Sequence, residues 1–175
     1  CGFISLFSSL HFSIFASFKE AMKDRISLIA ERIISDSFPL LQGKRIHFYV
    51  MWLSFFGFSA WIPPIFRFIV ISTRTREFTD YVLTGILAHE LSHQERYLKM
   101  GTWRYLKFAI GFIFSKKVQA AEEKSTDRLT IEKGYGRQLY ELTLISGKDR
   151  NHKNIIDNYL SSEEIKDYAM KIGKW

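Results

Sequence analysis

Cysteine is nearly missing from this chain: Cys1 is the only one among 175 residues. An internal disulfide and a cysteine-based zinc cluster are both excluded, and nothing in the sequence asks for an oxidising compartment. Histidine is also scarce, with His11, His47, His89, His93 and His152 the whole supply. Disorder is excluded from the opposite side, because 47% hydrophobic and 16% aromatic residues are ample for a core. At this length the expectation is a single domain over 1–175.

Charge is absent from whole segments. Residues 1–18, CGFISLFSSLHFSIFASF, carry no Lys, Arg, Asp or Glu. Five serines and His11 dilute this run, so a buried or interfacial helix is the first reading, ahead of a truncated membrane anchor or a lipidated start. A second uncharged run, FYVMWLSFFGFSAWIPPIF at 48–66, is long enough to cross a bilayer. Gly57 and Pro63-Pro64 argue against a straight helix there, since each proline removes a helix hydrogen bond. Two strands, near 45–53 and 65–72, joined by an apolar loop, suit its β-branched and aromatic flanks better.

Acidic residues are missing from 96–117, RYLKMGTWRYLKFAIGFIFSKK, which holds six Lys/Arg and six aromatics. Its apolar centre is too short for a span. A peripheral contact with an anionic membrane surface is one reading, and a basic flap folded over the core is the other. The net charge of +7 carries no sign of specific nucleic-acid recognition. The chain is expected to be cytoplasmic or membrane-associated.

Phe18, Met22, Ile26, Ile29 and Ile33 recur at four, four, three and four, the apolar face of a helix over roughly 17–35. Thr79 or Asp80 can cap a helix from about 80 to 99, ended by Gly101. Further helices are expected at 116–133, stopped by Gly134-Tyr135-Gly136, in the following RQLYELTLI, and after Ser161, where Ser161 and Glu164 match a capping box. The segment 147–154 reads as a loop.

The central helix contains His89-Glu90-Leu91-Ser92-His93. The spacing alone arises by accident in roughly one chain of this length in a few hundred, so it needs support. On a helix, residues four apart share a side, with Cβ atoms about 5–6 Å apart. Two imidazoles so placed can hold one zinc ion, and Glu90 is close enough to take a proton from the attacking water. A third protein ligand is required. Lys99 stands where an extended three-histidine pattern would put its third, so a carboxylate is expected. Glu123-Lys124-Ser125-Thr126-Asp127 places two acids four apart on one helical face. Glu123 could close the set while Asp127 steadies an imidazole from behind; Glu122 is a weaker candidate. The plain alternative is a solvated charged helix surface.

HELSH followed by a helix carrying ExxxD resembles the gluzincin metallopeptidases, most closely the group of the membrane-associated heat-shock protease and the CAAX prenyl protease. The strand IFRFIVIST before the motif and the form EKSTDR after it are similar to that group, and the likeness covers about 45–136. It implies an α+β, zincin-like fold, mainly helical, with a small antiparallel sheet beside the motif helix. It further implies one Zn2+ per chain on His89, His93 and Glu123, with Glu90 as general base and Asp127 behind an imidazole. The implied activity is hydrolysis of peptide bonds in a protein or peptide substrate held along an edge strand at 65–72. The residue that steadies the oxyanion is not singled out among Tyr135, Arg137, Tyr140 and His152. Three alternatives stand beside this reading: a repressor-cleaving gluzincin-like regulator, a zinc protein acting on a nonpeptide substrate, and a catalytically silent membrane-surface or interaction module. Peptide deformylases share the motif but need a well-placed Cys ligand.

Overall fold

The computed structural model describes residues 2–148 and 158–175, with side chains over 17–147 and 158–175. The fold is α+β, mainly helical, with one three-stranded sheet. Helix α1 (Gly2–Ser37) buries Met22, Ile26, Ile29, Ala30 and Ile33, the face expected from the spacing. The side chains of 2–16 lie outside those described, and with them most of the question about 1–18 and His11. Among the described residues no helix is long and apolar enough to cross a membrane.

Strands β1 (Ile46–Met51), β2 (Gly57–Ile62) and β3 (Phe66–Ser72) follow. Both expected strands are present, but the sheet is mixed rather than antiparallel. β3 is central, parallel to β1 and antiparallel to β2, in the order β1-β3-β2. The apolar loop expected between the two strands is largely β2 itself, turned into β3 at Pro63-Pro64. Continuous hydrophobicity hid it, because a strand apolar on both faces lacks the alternation that marks a half-buried one. One consequence concerns the site: 65–72 is not an edge strand, and β2 is.

Thr79 caps α2 (Asp80–Phe114) by accepting the Val82 N–H at 3.4 Å. Gly101 bends this helix at φ +72° rather than ending it, and helical structure resumes over 102–114. That arm is anchored by Tyr105, which packs on Trp61 and Tyr97 and whose hydroxyl oxygen accepts the Trp61 N–H of β2 at 3.1 Å. Ser115 then caps α3 (Lys116–Thr130). A wide turn at Ile131–Tyr135, with Gly134 at φ +97°, leads into α4 (Gly136–Lys148). Of the loop expected at 147–154, residues 147–148 instead continue α4, and residues 149–154 lie outside the described residues. Helix α5 (Ser162–Lys171) opens on the capping box: Ser161 Oγ accepts the Glu164 N–H at 3.2 Å and Glu164 accepts the Ser161 N–H at 2.8 Å.

The main core joins α1, the inner face of β3 (Ile69, Ile71) and α2 (Leu83, Ile86, Leu87, Leu91). α4 crosses α2 at Gly85, where an added Cβ would meet the Gln138 carbonyl oxygen at 2.6 Å. Backbone cannot yield as a side-chain tip can. Gly85→Ala is therefore expected to cost about 1–3 kcal/mol by overpacking, read as a lower urea midpoint; an unchanged or raised midpoint would refute this close crossing.

Candidate metal centre

The middle of α2 is polar yet enclosed: His89 is 6% exposed, Glu90 5% and His93 5%. The enclosure comes from β2 on one side and α3 on another. His89 and His93 lie one turn apart with ring centroids 4.9 Å apart. From α3, Glu123 Oε2 sits 3.1 Å from His89 Nε2 and 3.2 Å from His93 Nε2. Ligand atoms about 2.0–2.1 Å from a tetrahedral centre lie roughly 3.3–3.4 Å from one another, so Glu123 Oε2 stands from each imidazole nitrogen close to the spacing a bound ion imposes. His89, His93 and Glu123 thus form a buried group able to hold a metal ion.

Each imidazole is braced from behind. His89 Nδ1 lies 2.9 Å from Asp127 Oδ1, whose other oxygen accepts the Leu160 N–H at 2.9 Å. His93 Nδ1 faces Thr126 Oγ1 at 3.2 Å, the Tyr97 hydroxyl at 3.4 Å and Glu122 Oε1 at 3.5 Å. Arg96 grips Glu122 with two hydrogen bonds, 2.8 and 2.7 Å. Glu122 is thus the carboxylate behind His93, a role that its position off the ExxxD pattern did not suggest. Burial works to raise its pKa, but Arg96 and His93 outweigh that and bring it down to about 2. Burial likewise opposes charge on His93, yet Glu123 and Glu122 raise its pKa to about 9. His89 is raised well above the usual imidazole value by Asp127 and Glu123, also against burial. Glu123 in turn is held far below the ordinary carboxylate range by the two imidazoles, although its own burial acts the other way.

Glu90 differs from its neighbours. Its Oε2 is buried with no hydrogen-bond partner. Burial raises its pKa to about 7, with His89 and His93 pulling down and Glu123 pushing up. The carboxyl group fits only because β2 begins with glycine: a Cβ at Gly57 would come within 2.5 Å of Glu90 Oε1.

A cleft opens on both sides of this group. A cavity of about 90 Å³, walled mainly by Phe55, Ile86, Leu139, Leu142 and Leu160, reaches His89 and Glu90. A larger one of about 520 Å³ runs between residues 57–60 of β2 and the 102–114 arm, past His93 and Glu123. Tyr159 borders both cavities, with its ring 5.7 Å from that of His89. Burial first, then the carboxylates of Glu123, Glu90 and Asp127, keep its hydroxyl protonated well above the ordinary tyrosine value.

The residues considered for the oxyanion are elsewhere. Tyr135 donates to Ser37 Oγ, Tyr140 packs on Trp175, and the Arg137 guanidinium lies over the same Trp175 ring. His152 lies outside the described residues. His47 stacks on Phe66 at 4.6 Å, on the outer face of the sheet. Tyr159 was missed because it sits thirty-six positions after Glu123 (159 − 123) in a stretch with no motif.

Purified protein supplied with zinc is expected to retain about one ion per chain by elemental analysis, and to lose it in His93→Ala and in Glu123→Ala. Asp127→Ala should weaken the affinity by about 10–100-fold. Full retention without Glu123 would refute the three-ligand site. Compared with models of protein families, with curated proteins and with solved structures, the chain matches none.

Proposed function

We propose that this protein is a zinc-dependent metalloendopeptidase with a zincin-like arrangement around the HELSH helix. The observation that carries the reading is the convergence of His89 Nε2, His93 Nε2 and Glu123 Oε2 beside the unpartnered carboxyl group of Glu90. Two imidazoles and one carboxylate suit zinc among the common divalent ions, and three protein ligands leave a fourth position open, as catalytic rather than structural sites do. Bound there, zinc supplies Lewis acidity toward the scissile carbonyl and lowers the pKa of a water to about 7.

The chain's own residues do the rest. Glu90 accepts the proton of the attacking water and passes it to the leaving amine. Its raised pKa suits both halves of that shuttle, because such a group takes and gives a proton near neutrality. Asp127 and the Glu122–Arg96 pair hold the two rings in place through their far nitrogens. Tyr159, protonated at the cleft wall, is the donor for the oxygen that gains charge as the carbonyl is attacked. An extended peptide has a strand to pair with in β2, which bonds to β3 on one side only and borders the cleft along 57–60. Apolar walls at Phe55, Leu139 and Leu142 receive a hydrophobic side chain on one side of the scissile bond.

Zinc-loaded protein should cleave peptides in an internally quenched library, and Glu90→Gln should keep the metal while losing at least about 10²-fold in kcat. Tyr159→Phe should also keep the metal and lower kcat by about 10²–10³-fold, with little change in KM. Gly57→Ala should keep the zinc and lose activity as the new methyl displaces Glu90. Undiminished hydrolysis by Glu90→Gln would overturn the mechanism, and a zinc-loaded wild type inert toward every peptide would overturn the function.

A further inference from the structure

Residues 102–114, the arm beyond the Gly101 bend, present two different faces. One face closes over the cleft through Tyr105 and Phe108. The other is apolar and open to solvent: Trp103 is 83% exposed, Ile110 62% and Phe114 83%, with Leu106 at 41% between them, while Ile113 sits at the rim where this face meets the cleft. The positions 103, 106, 110 and 114 step by three, four and four, so they fall on one stripe of the helix. Large side chains gathered in this way on open surface mark a place where something apolar is met.

Charge identifies what that is. Six Lys/Arg and no acid occur over 96–117. Arg96 is held by Glu122 and Lys99 by Glu95. Arg104, Lys107, Lys116 and Lys117 have no carboxylate partner among the described residues and lie along or just beyond the stripe. An apolar stripe with an aromatic residue at each end and a basic border suits the interface of an anionic bilayer, where rings and alkyl groups enter the headgroup boundary and ammonium groups meet phosphate and carboxylate. Thirteen helical residues span about 20 Å at 1.5 Å each, short of the roughly 30 Å hydrocarbon core, so the contact is peripheral.

We propose that the 102–114 arm docks this protein on anionic membrane surfaces through Trp103, Ile110 and Phe114, with Lys107, Lys116 and Lys117 at the lipid headgroups. The arm's inner face walls the cleft, so docking sets the cleft beside the lipid. The docking itself does not rest on the proposed hydrolysis.

The test is co-sedimentation of the full chain with phosphatidylcholine vesicles, with and without phosphatidylserine, at low and high salt. Binding is expected to the anionic vesicles and to weaken as salt rises. Trp103→Ser/Phe114→Ser and Lys107→Glu/Lys116→Glu should each reduce partitioning by about tenfold or more. Their circular dichroism and zinc content should match wild type, because the altered side chains lie on the arm's outer surface or beyond its end, away from the ligands. No binding to anionic vesicles at low salt would overturn the proposal. So would unchanged partitioning in both double variants, which would move any membrane contact to another part of the chain. A dimer in analytical ultracentrifugation that Trp103→Ser/Phe114→Ser dissociates, without vesicle binding by the wild type, would make the stripe a contact between two copies and overturn it as well.

Discussion

Three atoms able to ligate a metal ion, drawn from two helices, meet inside the protein, and much of the rest is arranged so that they can. Two imidazoles and a carboxylate within hydrogen-bond distance are costly to bury unless each is paired. The helix that carries the two imidazoles, α2, resolves the cost of its other polar side chains one residue at a time. Ser92 donates to the Ala88 carbonyl and accepts from Thr130. Gln94 donates to Ser59 and to the Ala60 carbonyl, tying α2 to β2, while Arg67 donates to its amide oxygen. Glu95 is locked between Lys99 and Lys133, each at 2.7 Å. A run of polar side chains that would ordinarily face water is satisfied by the sheet and by α3 instead.

Against that background the exception carries meaning. Within 88–95, Glu90 alone keeps a buried oxygen without a partner, and the glycine at the start of β2 leaves the space it occupies. Such a group is expensive to maintain, and burial leaves it easily protonated near neutral pH. In the proposed hydrolysis this group is the proton acceptor. The same logic separates Glu122 from Glu123. Both are buried, but Arg96 engages both oxygens of Glu122, whereas Glu123 aims one oxygen at the two imidazole nitrogens.

Much of this could be read along the chain wherever local periodicity carries the information. The apolar face of α1, the Thr79 cap, the Ser161 capping box and the four-residue spacings of His89/His93 and Glu123/Asp127 are properties of single helices, and they appear in the structure as read. The sheet was less legible. Its two expected strands exist, but their parallel pairing depends on β2, whose unbroken hydrophobicity resembles a loop or a span. The bend at Gly101 looked like an end, because a glycine with positive φ serves both purposes, and it is the packing of Tyr105 and Phe108 on Trp61 and Tyr97 that keeps the arm folded back.

The sequence by itself determined the chemistry available: the ligand types, the neighbouring acid and the lack of any cysteine beyond Cys1. Helical spacing places each pair on one side of its own helix whatever surrounds it. Tertiary structure alone decided which carboxylate faces the imidazoles, which one braces them, and that Tyr159 stands at the cleft. Those choices turn on the crossing of α2 with α3 and on the return of residues 158–160 to Asp127, contacts between segments more than thirty positions apart. No local period encodes a distance of that kind; packing of the whole core sets it.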